Sequence, residues 1–438
     1  MKRLLLACVC SLAVPTVASA QGVIRLTLAE AIERGLGSSH RLEELVARED
    51  AARAVEQQRS AADFPVLSAV GSYARTNHVQ EFAVPIADGG ARVIYPDLPN
   101  QWRSRVDLQW PIYTAGRLQS LTRAAGADAA ATGQDRETLR ADLKLEITRA
   151  YLAVVTARAS ETVVQQALER TTAHLADVRS QFNVGLVPPS DVLSIEAQQA
   201  HQQMLAIEAA NIAVTSSADF RRLVGLDPDA PFELADELEA PGDATADLPN
   251  TFVAEARANR SERKALQFRI EAATERASAV SANGLPAVTA LGGVDYARPN
   301  PRIFPLNAQW RSSWDLGLQV RWTFLDGGRV KAETAEATAL RRAAEARLRD
   351  FDSGIASEID QRTADLRSAR AAVVAARSGV RAAAEARRVL AERFSAGVAT
   401  NTDVLTAQVA LLQADLDLTR ALANTRLAGA RLERARGN

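Results

Sequence analysis

The sequence predicts a mainly α-helical protein that also carries membrane β-structure. Four strands per chain are shared by three chains as a twelve-stranded β-barrel, which a long α-helical coiled-coil barrel continues. Three observations predict this. One large unit is written twice, with Asp191, Gly116 and Arg117 returning 212 residues later as Asp403, Gly328 and Arg329. Each copy holds a strand of strict apolar–polar alternation. Each copy also holds an uninterrupted helical pattern far longer than a globular domain uses.

The chain has 438 residues, a net charge of −1 and only 5% aromatics. A near-neutral chain has no basic field for nucleic acid. Residues 1–20, "MKRLLLACVCSLAVPTVASA", join a basic start to an apolar run and a small-residue Ala18-Ser19-Ala20 site. This is the pattern of a cleaved signal peptide, with a run too short to span a membrane. Leu5-Leu6-Ala7-Cys8 is a faint lipoprotein-like alternative that sits too near the start. Both cysteines, Cys8 and Cys10, fall inside this segment, so the mature chain is expected to lack thiols, disulfides and Cys-based metal sites.

The first repeat is expected over 21–225 and the second over 251–438. Between them, 226–250 has eight acidic residues, no basic ones and four prolines, which predicts a linker. Each repeat opens with a helix (27–62; 251–284). A strand follows (66–76; 286–297), then an irregular loop and a second strand. "YARTN" (73–77) is echoed by "YARPN" (296–300), and "QWRS" occurs at 101–104 and 309–312. In the second strands, Val106, Leu108, Trp110 and Ile112 alternate with polar residues over 105–113. Trp314, Leu316, Leu318, Val320, Trp322 and Phe324 do so over 314–324. Period two gives one apolar and one polar face. A half-buried strand of a soluble sheet fits that pattern. A strand length of about 10–12 residues, tryptophans toward the ends and the absence of another covering layer favour a membrane barrel.

Gly116 in the first copy, and Gly327 and Gly328 in the second, make strand-to-helix junctions, with Thr114 and Asp326 as N-cap oxygens. Helices are then expected over 117–183 and 329–395, each roughly 100 Å long at 1.5 Å per residue. Leu168, Leu175, Val178 and Phe182 step by 7, 3 and 4 along a packing seam. "FNVGLVPPSDVL" (182–193) and "FSAGVATNTDVL" (394–405) close these helices. Gly185 and Gly397 fit the C′ position. Ser190-Asp191 and Thr402-Asp403 are expected to cap returning helices over 190–224 and 402–436. The duplicated stretch is thus a hairpin tip, far from the strands.

Four strands cannot close a membrane barrel, for which eight is the usual minimum, and lipid forbids an open edge. Three copies supply twelve strands. The tip is written twice because the tube would end in a ring of alternating, nearly equivalent hairpins.

The tips and the junctions "WPIYTAGR" (110–117) and "WTFLDGGR" (322–329) resemble the TolC family of outer-membrane efflux and secretion channels. The resemblance covers essentially the whole mature chain. It implies a homotrimer in outer-membrane lipid, extending into the periplasm of a Gram-negative cell. It also implies docking of a periplasmic adaptor tied to an inner-membrane pump, proton-driven or ABC-type. The residues expected at the adaptor-docking tips are Gly185, Leu186 and Val187, with Gly397, Val398 and Ala399. The resemblance places acidic side chains at a narrow periplasmic aperture. Asp403 matches one, Thr406 stands where another would be, and Asp191 matches the acidic residue of the first tip. Ala399 replaces a family basic residue. N-capping alone and capping plus a pore role both remain open for the two aspartates.

An enzyme is disfavoured. His40, His78, His174 and His201 lack metal-ligand spacing and suit the surface, and no P-loop or nucleophile-elbow motif occurs. No cofactor is implied. A soluble periplasmic coiled-coil adaptor is the alternative function, but it would need neither two hairpins nor two alternating strand pairs.

Overall fold

In the computed structural model, residues 23–87, 89–236, 238 and 249–437 are described. The expected signal peptide and most of the second half of the expected linker lie outside them. The elements, in chain order, are β1 (Ile24–Leu26), α1 (Leu28–Gly37), α2 (His40–Ala61), β2 (Val66–Arg75), β3 (Phe82–Pro85), β4 (Ala91–Tyr95), β5 (Asn100–Tyr113) and α3 (Arg117–Asn183). There follow α4 (Pro189–Val224), β6 (Phe232–Leu234), α5 (Pro249–Asn259), α6 (Ser261–Ser281), β7 (Ala287–Arg298), β8 (Arg311–Arg321), α7 (Arg329–Ser395) and α8 (Asn401–Arg436). The chain forms two compact units. Of the described residues, one takes those up to Ser39, within Leu143–Thr245 and in Ala364–Leu432; the other takes those in His40–Asp142, within Ala246–Thr363 and from Glu433. Each unit draws on both sequence repeats, because α3 and α7 each contribute to both.

The first unit has a compact apolar centre around β1, α1 and β6. Thr27 and Glu30 form a capping box that starts α1. Leu26, Ala31, Ile147, Tyr151, Val154, Phe220, Val224 and Phe232 are buried together. β1 pairs in parallel with β6, so the expected linker begins with an ordered strand. Its acidic composition hid the apolar anchors Leu226, Ala230 and Phe232, all buried. The Tyr151 hydroxyl donates to Asp236 Oδ2 at 2.9 Å, and the Leu28 N–H donates to the same oxygen at 2.9 Å. Burial pushes the Tyr151 phenol up to about 12. Arg34 Nε donates to the Val224 carbonyl, which joins α1 to the end of α4.

In the same unit α3 packs against both α4 and α8. Leu175, Val178 and Ile195 are buried against Val192, Phe394 and Leu405. Val164, Ala167, Ala209 and Leu412 form a second buried layer. Phe182, expected to continue the seam, is instead 40% exposed, because α3 ends one residue later.

The second unit holds an antiparallel sheet of order β2-β5-β7-β8. Directly opposed residues share a face, so the register sorts the side chains. Leu67, Val106, Leu108, Trp110, Val294, Leu316 and Leu318 fall on one face. Ser68, Arg105, Asp107, Gln109, Asp295 and Asp315 fall on the other. On the polar face Arg105 pairs with Asp107, Asp295 and Asp315, Arg103 pairs with Asp295, and Arg302 pairs with Asp315. Gly293 leaves room for this network, since a Cβ there would lie 2.3 Å from Arg105 Nη2. Below the sheet, Arg434 bridges Asp142 and Glu262, and Arg263 forks onto Asp352.

Several boundaries differ from the sequence expectation. The opening helix breaks at Ser38–Ser39, and its second copy breaks at Arg260. The 77–100 loop contains the β3–β4 hairpin. β8 ends at Arg321, so Trp322 and Phe324 lie beyond the strand and Trp314 lies within it. The alternation ran on because these aromatics continue the apolar run past the last ladder bond.

Candidate functional site

Both tips end their helices in the same way. Gly185 and Gly397 adopt φ of +79° and +76°. Gly185 N–H donates to the Phe182 carbonyl and Leu186 N–H to that of Gln181. Gly397 and Val398 repeat this with Phe394 and Arg393. This is a Schellman closure, which only a residue at ease in the left-handed region makes cheaply. The closures leave apolar side chains in solvent: Val184 is 71% exposed, Leu186 74% and Val398 64%. Val187 and Ala399 are partly covered.

The two returning helices start differently. Thr400 is the cap of α8. Its N–H and hydroxyl donate to Asp403 Oδ2 at 2.9 and 2.7 Å, and Asp403 N–H donates back to Thr400 Oγ1. Asp403 is thus the reciprocal member of a capping box, and the hydroxyl and N–H of Thr400 hold its carboxyl below the usual aspartate range. In α4 the cap position is Pro188, with no side-chain cap bond. Asp191 therefore sits in the first turn without capping it, contrary to expectation, and neither Ser190 nor Thr402 takes the cap position. Proline at the entry fixes φ and supplies no donor or side-chain acceptor. Asp403 and Thr406 are both exposed, three residues apart on α8, and the Thr406 hydroxyl turns back to the Thr402 carbonyl.

A node that sequence reasoning missed joins the hairpins. Asn401 is 3% exposed. His174 Nε2 and Asn401 Oδ1 are 2.9 Å apart, and Asn401 Nδ2 donates to the Asp191 carbonyl at 3.2 Å. His174 also lies edge-on to Phe394, centroids 5.4 Å apart. His174 is thus no free surface histidine. The available signal was a break in the repeat: Asn401 falls where the first copy has Pro189.

At the junctions Gly116, Gly327 and Gly328 have φ of +80°, +68° and +86°. Asp326 accepts from Gly328 N–H and Val330 N–H, and Thr114 Oγ1 accepts from Leu118 N–H. Ala115, the counterpart of Gly327, holds φ of +52°. Among the described residues no cluster of His, Cys, Asp and Glu is placed to hold a metal ion, and no helix is long and apolar enough to cross a membrane.

The fold recurs in solved outer-membrane proteins. The outer membrane protein VceC from Vibrio cholerae matches at a TM-score of 0.77 and 20% identity, over 94% of this chain and 96% of that one. The outer-membrane channel OprN matches at 0.79 and 20%, over 94% and 89%. Protein CyaE of Bordetella pertussis is 27% identical over 306 residues, which is 69% of this chain and 64% of that protein's length. The family model of outer membrane efflux proteins matches residues 31–226 and 252–438, both repeats from first helix to last. The chain belongs to the outer membrane efflux protein family.

Proposed function

We propose that the chain is the exit duct of a tripartite efflux or secretion assembly. Three copies form a passive channel from a periplasmic entrance to the exterior. The hairpin tips dock a periplasmic adaptor, which an inner-membrane pump drives. Gly185, Leu186, Val187, Gly397, Val398 and Ala399 form the docking tips. Asp403, with Thr406 and Asp191 nearby, lines the entrance. Gly116, Gly327 and Gly328 turn the barrel strands into the helices.

The observation that carries this is a sheet with two unpaired edges and one exposed apolar face. Among the described residues β2 and β8 each have a neighbour on one side only. In lipid such edges must be closed, and three four-stranded sheets close as twelve strands. Trp102 and Trp110 stand eight residues apart on β5, about 27 Å along the strand. At a strand tilt of about 35–45° that separation spans about 19–22 Å of the membrane normal, most of the roughly 25 Å apolar band of an outer-membrane barrel.

The first unit supports the same closed assembly of copies. On α4, Leu193, Ala197, Ala200, Met204, Ile207, Asn211, Val214 and Ala218 step by 4 and 3 and are all exposed. On α7, Ala364, Ser368, Ala371, Ala375, Ser378, Ala382, Glu385 and Val389 do the same. Two bare heptad seams, one of large and one of small side chains, fit one another between copies. The described residues contain no cysteine, which allows a direct test. Ile207→Cys is combined in turn with Ala371→Cys, Ala375→Cys and Ser378→Cys. At least one pair should cross-link copies into a trimer-sized band, and no intermolecular band from any pair would contradict the seam.

A further inference from the structure

The echoed segments "YARTN"/"YARPN" and "QWRS"/"QWRS" belong neither to the tips nor to the junctions, and the sheet brings them together. Tyr73 on β2 is the register partner of Trp102 on β5, and their rings lie 4.3 Å apart. Tyr296 on β7 stacks on Trp310, centroids 5.0 Å apart at 17°. Two residues past each tyrosine, hence on the same face, stand Arg75 and Arg298. Trp102 is the register partner of Arg298, so the two copies of the motif meet. A cleft of about 370 Å³ is walled by Tyr73, Asn100, Trp102 and Arg298. All four aromatic rings and both arginines are exposed.

The charges on this face differ from those behind it. Arg103, Arg105 and Arg302 are each paired with aspartates. Among the described residues neither Arg75 nor Arg298 has a carboxylate partner. Arg298 Nε is instead pinned to the Ala308 carbonyl at 2.8 Å, which fixes the guanidinium at the cleft. The aromatics at the opposite end of the strands are also used differently. The indole N–H of Trp110 donates to the Asp63 carbonyl, and that of Trp322 to the Gly284 carbonyl. Among the described residues no such bond is made by Trp102 or Trp310.

An arginine fork beside aromatic rings, at the depth where a barrel meets headgroups, calls for an anion with a planar or multi-oxygen face. The helices leave the sheet at its other end. On the channel assignment above, on which this inference rests, the loop end therefore meets the outer leaflet. We infer that the twice-written Tyr–Trp–Arg motif binds the phosphate groups of a phosphorylated glycolipid of the outer leaflet. The arginines take the phosphates, and the exposed rings take the faces of the sugars. Three chains would carry six such motifs around the barrel.

The test uses the full-length assembled protein in detergent, titrated with bis-phosphorylated lipid A, with dephosphorylated lipid A and with inorganic phosphate. Bound lipid is read by native mass spectrometry. The wild-type assembly should hold the phosphorylated form on the order of tenfold more tightly than the dephosphorylated one. Arg75→Gln and Arg298→Gln should each weaken that preference, and the double variant should abolish it. Arg92→Gln, on β4 and outside the motif, should leave it unchanged and so excludes bulk charge. Equal binding of the two lipids, or a double variant that keeps the preference, would overturn the inference. Displacement of lipid A by inorganic phosphate at equal concentration would mark a soluble-anion site and overturn the lipid assignment. Assembly mass and conductance are read on the same samples. A conducting trimer with no phosphate preference defeats only this inference, whereas a wild-type protein that neither assembles nor conducts defeats the channel assignment first.

Discussion

Replacing Gly397 separates the tip's two properties, its backbone turn and its exposed surface. Its φ is +76°, and a Cβ built there would meet nothing within 4 Å. The cost of a side chain is therefore backbone strain alone, about 1–2 kcal/mol for an ordinary L-residue and at the upper end for a β-branched one. Asparagine tolerates the left-handed region, so Gly397→Asn should cost only a fraction of that. Gly225 provides the contrast. It has φ of +62°, but a Cβ there would lie 2.5 Å from Ser38 Cβ. Gly225→Val adds overpacking of about 1–3 kcal/mol to the backbone strain. Chemical unfolding and cross-linking to the adaptor read the two effects. Gly397→Val should assemble normally, lose roughly 1–2 kcal/mol per chain and fail to capture the adaptor. Gly397→Asn should stay near wild type in both, and Gly225→Val should lose assembly. Equal adaptor capture by Gly397→Val and Gly397→Asn would refute the claim that the Schellman turn presents the docking surface.

Asp403→Ala should lower cation selectivity in single-channel recordings, whereas Asp191→Ala, with no cap to lose, should leave α4 intact. The lowered carboxyl of Asp403 means its cap is fully formed above the ordinary aspartate value of about 3.9 and is lost only as pH falls below it. Selectivity should therefore persist down to about pH 4, and unchanged selectivity in Asp403→Ala would leave that residue a cap only. Tyr151→Phe removes a buried donor from Asp236 and should cost about 1–3 kcal/mol in thermal unfolding. Tyr151's raised phenol stabilises the fold fully below about pH 10, and that contribution should fade as pH rises toward 12. Ile207→Glu, on the exposed α4 seam, should leave single-chain helicity unchanged by circular dichroism while abolishing assembly in size-exclusion chromatography.

The long helices and tips were legible because their signals are strong and doubled. Alanine-rich runs without Pro, bounded by Gly116 and Gly185 or by Gly328 and Gly397, give the ends of α3 and α7 to the residue. Strand faces followed from period two. Three-residue strands such as β1 and β6 carry no periodicity, and only tertiary burial of Leu26 and Phe232 reveals them. The break at Ser38–Ser39 was hidden because serine suits a helix surface as well as a stop. Asp403 was legible as an acidic residue in the first turn, but its partner was not. Choosing Thr400 over Thr402 as the cap needs the backbone path that Gly397 sets. Asn401 and His174 meet across hairpins 227 residues apart in sequence, a pairing no local pattern encodes. The motif formed by Tyr73 and Trp102 was visible only as an unexplained echo.

On the function proposed above, three copies of this chain make one conducting pore. Native mass of the detergent-solubilised protein, followed by planar-bilayer recording of the same fraction, tests it most directly. A mass of three chains and discrete conductance steps from that species alone are expected. A folded monomer in that fraction, or a trimer that carries no current, would contradict it.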